Sequence, residues 1–214
     1  MVGNLLAPVG TGPWPAVVIM GPVASVKEQA PLQYASRLAR EGFVALVFDP
    51  RYHGESAGAP RRWESRRAKV DDLRAAVGFL ADRPEVQPHG IHLLGICQGV
   101  NWAVEAAADD PRVRSVSLVA GHYLVPETAR LYLGSSDAVA ARIEKARESR
   151  AAFEQSGRVD LLKQMRKEGL RSDTGGELSW SGLAELLGDL NFVQAVRSLE
   201  IDADWLGSPK ESVR

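Results

Sequence analysis

The sequence predicts an α/β protein: a doubly wound, mostly parallel sheet with a helical cap or tail. Residues 16–20 and 44–48 are β-branched and apolar without polar alternation, as strands covered on both faces are. Helix-period segments separate these runs, the alternation expected of parallel crossover units. A third apolar run, residues 91–96, leads through Gly95-Ile96-Cys97-Gln98-Gly99 into an alanine-rich segment, residues 102–108, of good helix propensity.

In chain order, residues 4–7 suit an edge strand and Gly10-Thr11-Gly12-Pro13 is turn chemistry. The first buried strand ends in Gly21-Pro22-Val23-Ala24, a loop placed to bring a backbone N–H beside Cys97. Residues 29–40 predict an amphipathic helix with Tyr34, Ala35 and Leu38 on one side, and Gly42 suits its C-terminal stop. The strand at 44–48 runs into a polar loop, residues 49–56. Residues 70–80 predict a second helix with Leu73, Val77 and Leu80 apolar and Asp71 and Asp72 near its start. Pro84 and Pro88 interrupt the chain before the third buried strand. After Asp109-Asp110-Pro111, residues 113–120 form another strand, ending in Gly121-His122. Beyond Pro126, residues 136–155, 159–167 and 177–199 read as helical, and the charge run at 142–150 as a solvated helix face. The expected organisation is a core over residues 1–125 and a helical cap or tail region of the same domain over 126–214.

The totals narrow the function classes. A chain of 214 residues holds one sizeable core, and 45% hydrophobic with 25% charged residues is ordinary globular composition. The net charge of −1 gives no general attraction to nucleic acid or to acidic membranes. A single cysteine forms no internal disulfide, and no basic start precedes a secretory apolar core, so the expected location is the cytoplasm. The four histidines and one cysteine have no metal-ligand spacing, so neither metal nor cofactor is expected.

Strand, Gly-x-Cys-x-Gly turn and helix together read as a nucleophile elbow. There the central residue is held in a strained conformation, with flanking glycines because a Cβ would strike the adjoining strand or helix. Cys97 occupies the central position, at the N-terminus of the following helix, whose dipole and N–H groups favour negative charge on the sulfur. A buried core cysteine beside two packing glycines is the structural alternative.

Several stretches together resemble the α/β-hydrolase superfamily, in its dienelactone-hydrolase-like and X-Pro-dipeptidyl-peptidase-like branch, to which polyketide transferases are also similar. They are Gly21-Pro22-Val23 with Val26-Lys27-Glu28-Gln29, Gly42-Phe43, Asp49-Pro50-Arg51-Tyr52-His53-Gly54-Glu55-Ser56, Pro60-Arg61, Asp71-Asp72-Leu73-Arg74-Ala75-Ala76-Val77 and Leu94-Gly95-Ile96-Cys97-Gln98-Gly99. The resemblance implies an α/β-hydrolase fold and attack by Cys97 on an ester, thioester or lactone carbonyl of a small-molecule acyl substrate. It also implies one oxyanion donor in the Gln98 N–H. The second donor belongs to the loop after the first buried strand, where Pro22 lacks an N–H and Val23 is the candidate.

In the family the triad acid and histidine follow the nucleophile after two further strands, whereas no histidine follows His122 here, so the fold is expected to be C-terminally shortened. His122, ending the strand beside the elbow strand, is the candidate base; a surface or cap-contacting histidine is the alternative. His53 reads as a loop residue, and His89 and His92 lie at the far end of the elbow strand. Asp49 fits either orienting a histidine or bonding its neighbouring loop. Glu55 and Ser56 fit a turn. Trp63, Trp102, Trp180 and Trp205 fit an acyl pocket or plain packing, and Arg61 and Arg62 a substrate carboxylate or solvent. The substrate-binding residues are not specified. Two alternatives stand beside the enzyme: a shortened non-catalytic relative that binds a carbonyl ligand or partner subunit, and an interrupted reading frame. A shortened sheet would also leave an apolar edge for a second copy to cover.

Overall fold

The computed structural model describes residues 1–123, 126–159, 161–163 and 177–179, the last two segments by their backbone pairing. A five-stranded sheet runs in the order β1-β3-β2-β4-β5, with β1 Val2–Leu6, β2 Trp14–Met20, β3 Val44–Asp49, β4 Val86–Ile96 and β5 Val113–Val119. Only β1 is antiparallel, paired to β3 at the edge; the other four strands are parallel. This is the doubly wound α/β sheet expected from the apolar runs.

Period-two alternation splits each central strand between two cores. Val17, Ile19, Ala45, Val47, Leu94 and Ile96 pack with Ala35 of helix α1, Ala30–Arg40. Ala16, Val18, Met20, Val44, Leu46 and Leu93 face the other way. There they meet Leu73, Val77 and Leu80 of α2, Arg66–Ala81, and Trp102, Ala103 and Ala106 of α3, Gly99–Ala108. Because both faces are covered, the strands show no polar alternation. Each buried Val, Leu or Ile contributes about 1.5–3 kcal/mol. Gly42, at φ +93, follows the end of α1 in the left-handed conformation that terminates helices.

Three elements differ from the sequence expectation. Helix α2 begins at Arg66, capped by the Ser65 hydroxyl, which accepts from the Ala68 N–H at 3.3 Å. Asp71 and Asp72 therefore sit in its second turn. Strand β4 begins at Val86 and passes through Pro88: its pairing jumps from Trp14↔Val86 to Ala16↔Ile91, so the residues between bulge out and no ladder bond is asked of the proline. In the segment expected to be helical, α4 (Pro126–Leu133) and α5 (Ser136–Ser156) are helices. Leu161–Lys163 and Glu177–Ser179, however, form an antiparallel pair, β6 and β7, in place of the helices expected at 159–167 and the start of 177–199. The remainder of 177–199, Trp180 and Trp205 lie outside the described residues. No helix among the described residues is long and apolar enough to cross a membrane.

Candidate active site

The parallel strands end together, so the loops after β2, β3, β4 and β5 share one rim of the sheet. At the end of β4, Cys97 adopts φ +55, a left-handed conformation that costs a non-glycine residue about 1–2 kcal/mol. The glycines on either side are sterically required. A Cβ on Gly95 would lie 2.6 Å from the Gly99 carbonyl oxygen, and one on Gly99 would lie 2.4 Å from that of Met20. Neighbouring backbone holds the bend: the Cys97 N–H donates to the Val119 carbonyl at 2.9 Å, and its carbonyl accepts the His122 N–H at 3.1 Å. Cys97 remains partly exposed. Directly beyond it Gln98 caps α3, where the helix dipole favours negative charge.

Opposite the bend is the loop after β2. The Val23 and Gln98 N–H groups have no hydrogen-bond acceptor among the described residues. Val23 is partly buried, and Ser25 closes a tight turn around it, donating through both its N–H and its hydroxyl to the Pro22 carbonyl. Ala24 sits at φ +57, and its N–H donates to Glu64 Oε1 at 2.5 Å. Further on, Lys27 gives its N–H to Asp49 Oδ1 at 2.8 Å and its ammonium to Asp49 Oδ2 at 2.9 Å. Burial of Asp49 would raise its pKa, but the Glu55 N–H and the two Lys27 donors hold it below the usual carboxylate range. Burial would lower the Lys27 pKa, yet Glu28, Glu55 and Asp49 together raise it.

Glu64, like Asp49, has none of its surface exposed. Lys69 Nζ lies 2.7 Å from Oε2, an ion-pair contact, and His53 Nε2 lies 3.0 Å from Oε1; neither is aligned as a hydrogen bond. Burial would raise the Glu64 pKa, but the Lys69 charge foremost, with His53, brings it down to about 2. The Lys69 ammonium also sits 4.4 Å from the centre of the Trp102 ring, a cation–π contact. Sequence reasoning missed Glu64 and Lys69. A signal for Lys69 was present, because it lies four residues before Leu73 on the buried stripe of α2. Glu64 lies in a connection, where no periodicity marks a buried charge.

The remaining candidates separate clearly. The His122 ring packs 4.7 Å from the Tyr132 ring, and burial lowers its pKa; its backbone, not its imidazole, is bonded to Cys97. His53 is buried, with Nδ1 3.0 Å from the Arg51 carbonyl, so both its ring nitrogens face oxygens of the surrounding loops. His92 lies lower on β4, bonded to the Ser115 hydroxyl at 2.8 Å, and its pKa is lowered by burial and Arg114. His89 is in the exposed bulge. Asp49 bonds its neighbouring loop rather than a histidine, and Ser56 donates to the Asp49 carbonyl at 2.6 Å. Glu55 pairs with Lys27. Arg61 donates to the carbonyls of Gly54 and Ser56, bracing that loop, and the Arg62 N–H donates to the Tyr52 carbonyl. Trp102 is core. Trp63 packs 4.9 Å from Tyr52 and lines, with Arg51, Arg66, Arg67 and Arg150, a cavity of about 520 Å³. No three His, Cys, Asp or Glu residues among those described are grouped to hold a metal.

Known proteins resemble this chain in sequence and in fold. The uncharacterized protein PA2218 of Pseudomonas aeruginosa is 46% identical over 102 residues, 48% of this chain and 28% of that protein. Its crystal structure superposes with a TM-score of 0.77 at 26% identity, covering 91% of this chain and 69% of that one. The polyketide transferase claH of Penicillium crustosum is 39% identical over 101 residues, 47% of this chain and 33% of that protein. The crystal structure of the α/β hydrolase GrgF from Penicillium sp. sh18 has a TM-score of 0.73 at 23% identity, covering 92% of this chain and 71% of that one, a likeness of fold. In sequence, the chain thus spans about a third or less of the length of PA2218 and claH. The Dienelactone hydrolase family model matches residues 1–130, more than half of the 214, and on that match the chain belongs to the dienelactone hydrolase family.

Proposed function

We propose that the protein acts on the carbonyl of a small ester, lactone or thioester, by hydrolysis or acyl transfer, with Cys97 as nucleophile. The Cys97 sulfur attacks the carbonyl carbon, and the carbonyl π-bond pair moves onto oxygen, where the Gln98 and Val23 N–H groups receive it. Collapse of the adduct breaks the bond to the leaving oxygen or sulfur, which takes up the proton that the base accepted from the thiol. Water or a second nucleophile then displaces the acyl group from sulfur. His122 is the proposed base: burial disfavours its charged form, and a neutral ring is the form that accepts a proton. The observation that carries this reading is the strained Cys97 backbone between two glycines that tolerate no Cβ. The name polyketide transferase, borne by claH, fits acyl transfer as the reaction class. A single thiol suits a reducing compartment such as the cytosol.

Turnover of a chromogenic short-chain ester and of a thioester, repeated with Cys97→Ala and His122→Ala, tests the assignment. Cys97→Ala is expected to abolish turnover and His122→Ala to lower it and alter its pH profile. Turnover unchanged in Cys97→Ala refutes the nucleophile. A wild-type protein that binds a carbonyl ligand, converts neither substrate and is not acylated at Cys97 is instead the non-catalytic relative.

A further inference from the structure

The loop that carries Val23 is held from outside itself. The Ala24 N–H ends on Glu64, a carboxylate from the connection before α2, at 2.5 Å. His53, from the loop after β3, meets the same oxygen, and Lys69, on α2, meets the other. Lys69 in turn rests on Trp102 of α3, the helix that starts at the elbow. One buried carboxylate therefore ties the loop after β2 to the loop after β3, to α2 and, through Lys69, to α3. Pairing with Lys69 alone would satisfy an ion pair; the bond to a loop amide does something further. Ala24 is in the left-handed region, where an L-residue stays only when its surroundings hold it. Without that acceptor the Val23–Ala24 peptide is released to turn, and Val23 turns with it.

We propose that Glu64 is a positioning residue for acyl transfer: by fixing the Ala24 amide it aims the Val23 N–H at the developing oxyanion. This rests on the roles of Cys97 and Val23 proposed above. Glu64 does not touch substrate and supplies no proton.

Two charge-balanced double variants of the full chain separate this role from a merely structural ion pair. Glu64→Gln/Lys69→Met keeps an oxygen for the Ala24 N–H and is expected to retain kcat within about threefold. Glu64→Met/Lys69→Met removes that oxygen. Its kcat is expected to fall about 10- to 100-fold with KM changed less than twofold, somewhat below the loss seen when an oxyanion donor is deleted outright. An aldehyde inhibitor, whose adduct with Cys97 carries an oxyanion, should lose affinity in step. Equal kcat in the two variants overturns the proposal. Amide exchange at Ala24 in the wild-type protein tests the hold even if the Met/Met variant does not fold. Protection of at least 100-fold is expected, and exchange at the rate of an open loop overturns it. If Cys97→Ala leaves turnover unchanged, the site reading fails first, while Ala24 exchange still reports on the Glu64 contact.

Discussion

Gly99→Ala tests the elbow more sharply than any change to the thiol, because its effect follows from packing alone. A Cβ on Gly99 would sit 2.4 Å from the Met20 carbonyl oxygen and 2.6 Å from that of Gly21. Ordinary contact begins near 3.4 Å, so the end of β2 and the start of α3 must part by about 1 Å. Both colliding partners are backbone, one inside the central sheet, so neither can swing aside as a side chain would. Overpacking a well-filled interior costs about 1–3 kcal/mol, and the rigidity here puts the cost near 3. With a urea m-value of about 2 kcal/mol/M, the unfolding midpoint should fall by about 1.5 M. Gly78→Ala is the matched control: it lies inside α2, and its nearest contact would be Arg112 Nη1 at 3.4 Å. Alanine there should gain about 0.5–1 kcal/mol of helix propensity and raise the midpoint by a few tenths molar. Turnover per folded molecule should also drop in Gly99→Ala, since Gly21 opens the loop that carries Val23. A Gly99→Ala midpoint within about 0.3 M of wild type would refute the close approach of α3 to β2.

Two further predictions follow from the same rim. The Glu64 pKa falls from 4.5 to about 2 on folding, so its contribution to stability is fully present above pH 4.5 and is lost as pH falls through 2. Roughly 3 kcal/mol is at stake, and the lowered pKa of Asp49 acts in the same direction. Urea midpoints should therefore fall more steeply from pH 5 to pH 3 in wild type than in Glu64→Gln/Lys69→Met; parallel profiles would show that Glu64 is not an ionised, paired group. Strain at Cys97 predicts that Cys97→Gly matches or exceeds Cys97→Ala in stability by about 0.5–1 kcal/mol, because relief of the left-handed backbone outweighs the added entropy of the unfolded chain. Equilibrium denaturation of the two variants decides it, and a Cys97→Ala protein more stable by 1 kcal/mol or more would count against the strain.

The sheet and its elbow were legible because they depend on local signals: apolar runs without alternation, a helix period between them, and two glycines flanking one cysteine. Helix α2 starts four residues before its apolar stripe suggests, because Arg66, Arg67 and Lys69 precede that stripe, although the Ser65 cap marks the true start. Pro88 reads as a break because sequence does not reveal that the strand bulges around it. The charged groups were harder. The partners of Glu64 lie at positions 24, 53 and 69, brought together only by the crossover from β3 to α2. Nothing within a short window distinguishes such a glutamate from a solvated one.

The strand order explains why this loop needs an outside hold. From β2 the chain leaves through α1 on one face to reach β3; from β3 it crosses through α2 on the other face to reach β4, on the opposite side of β2. The connections from β2 and β4 thus depart in opposite senses, which makes the carboxyl ends of these neighbouring strands a topological switch point, the place where ligands of doubly wound sheets bind. Gly21 to Ala24 follows one of these strands and Cys97 with Gln98 the other. The Cys97 side is secured by the ladder to β5 and by α3 itself. The Val23 side has left its strand and has not yet entered α1, so regular structure gives it no partners. The carboxylates of Glu64 and Asp49, arriving from the β3 connection, supply what the topology withholds. On the proposed role of Glu64, precision at the switch point is set by side chains outside it, and substitutions of those side chains should alter turnover before they alter substrate binding.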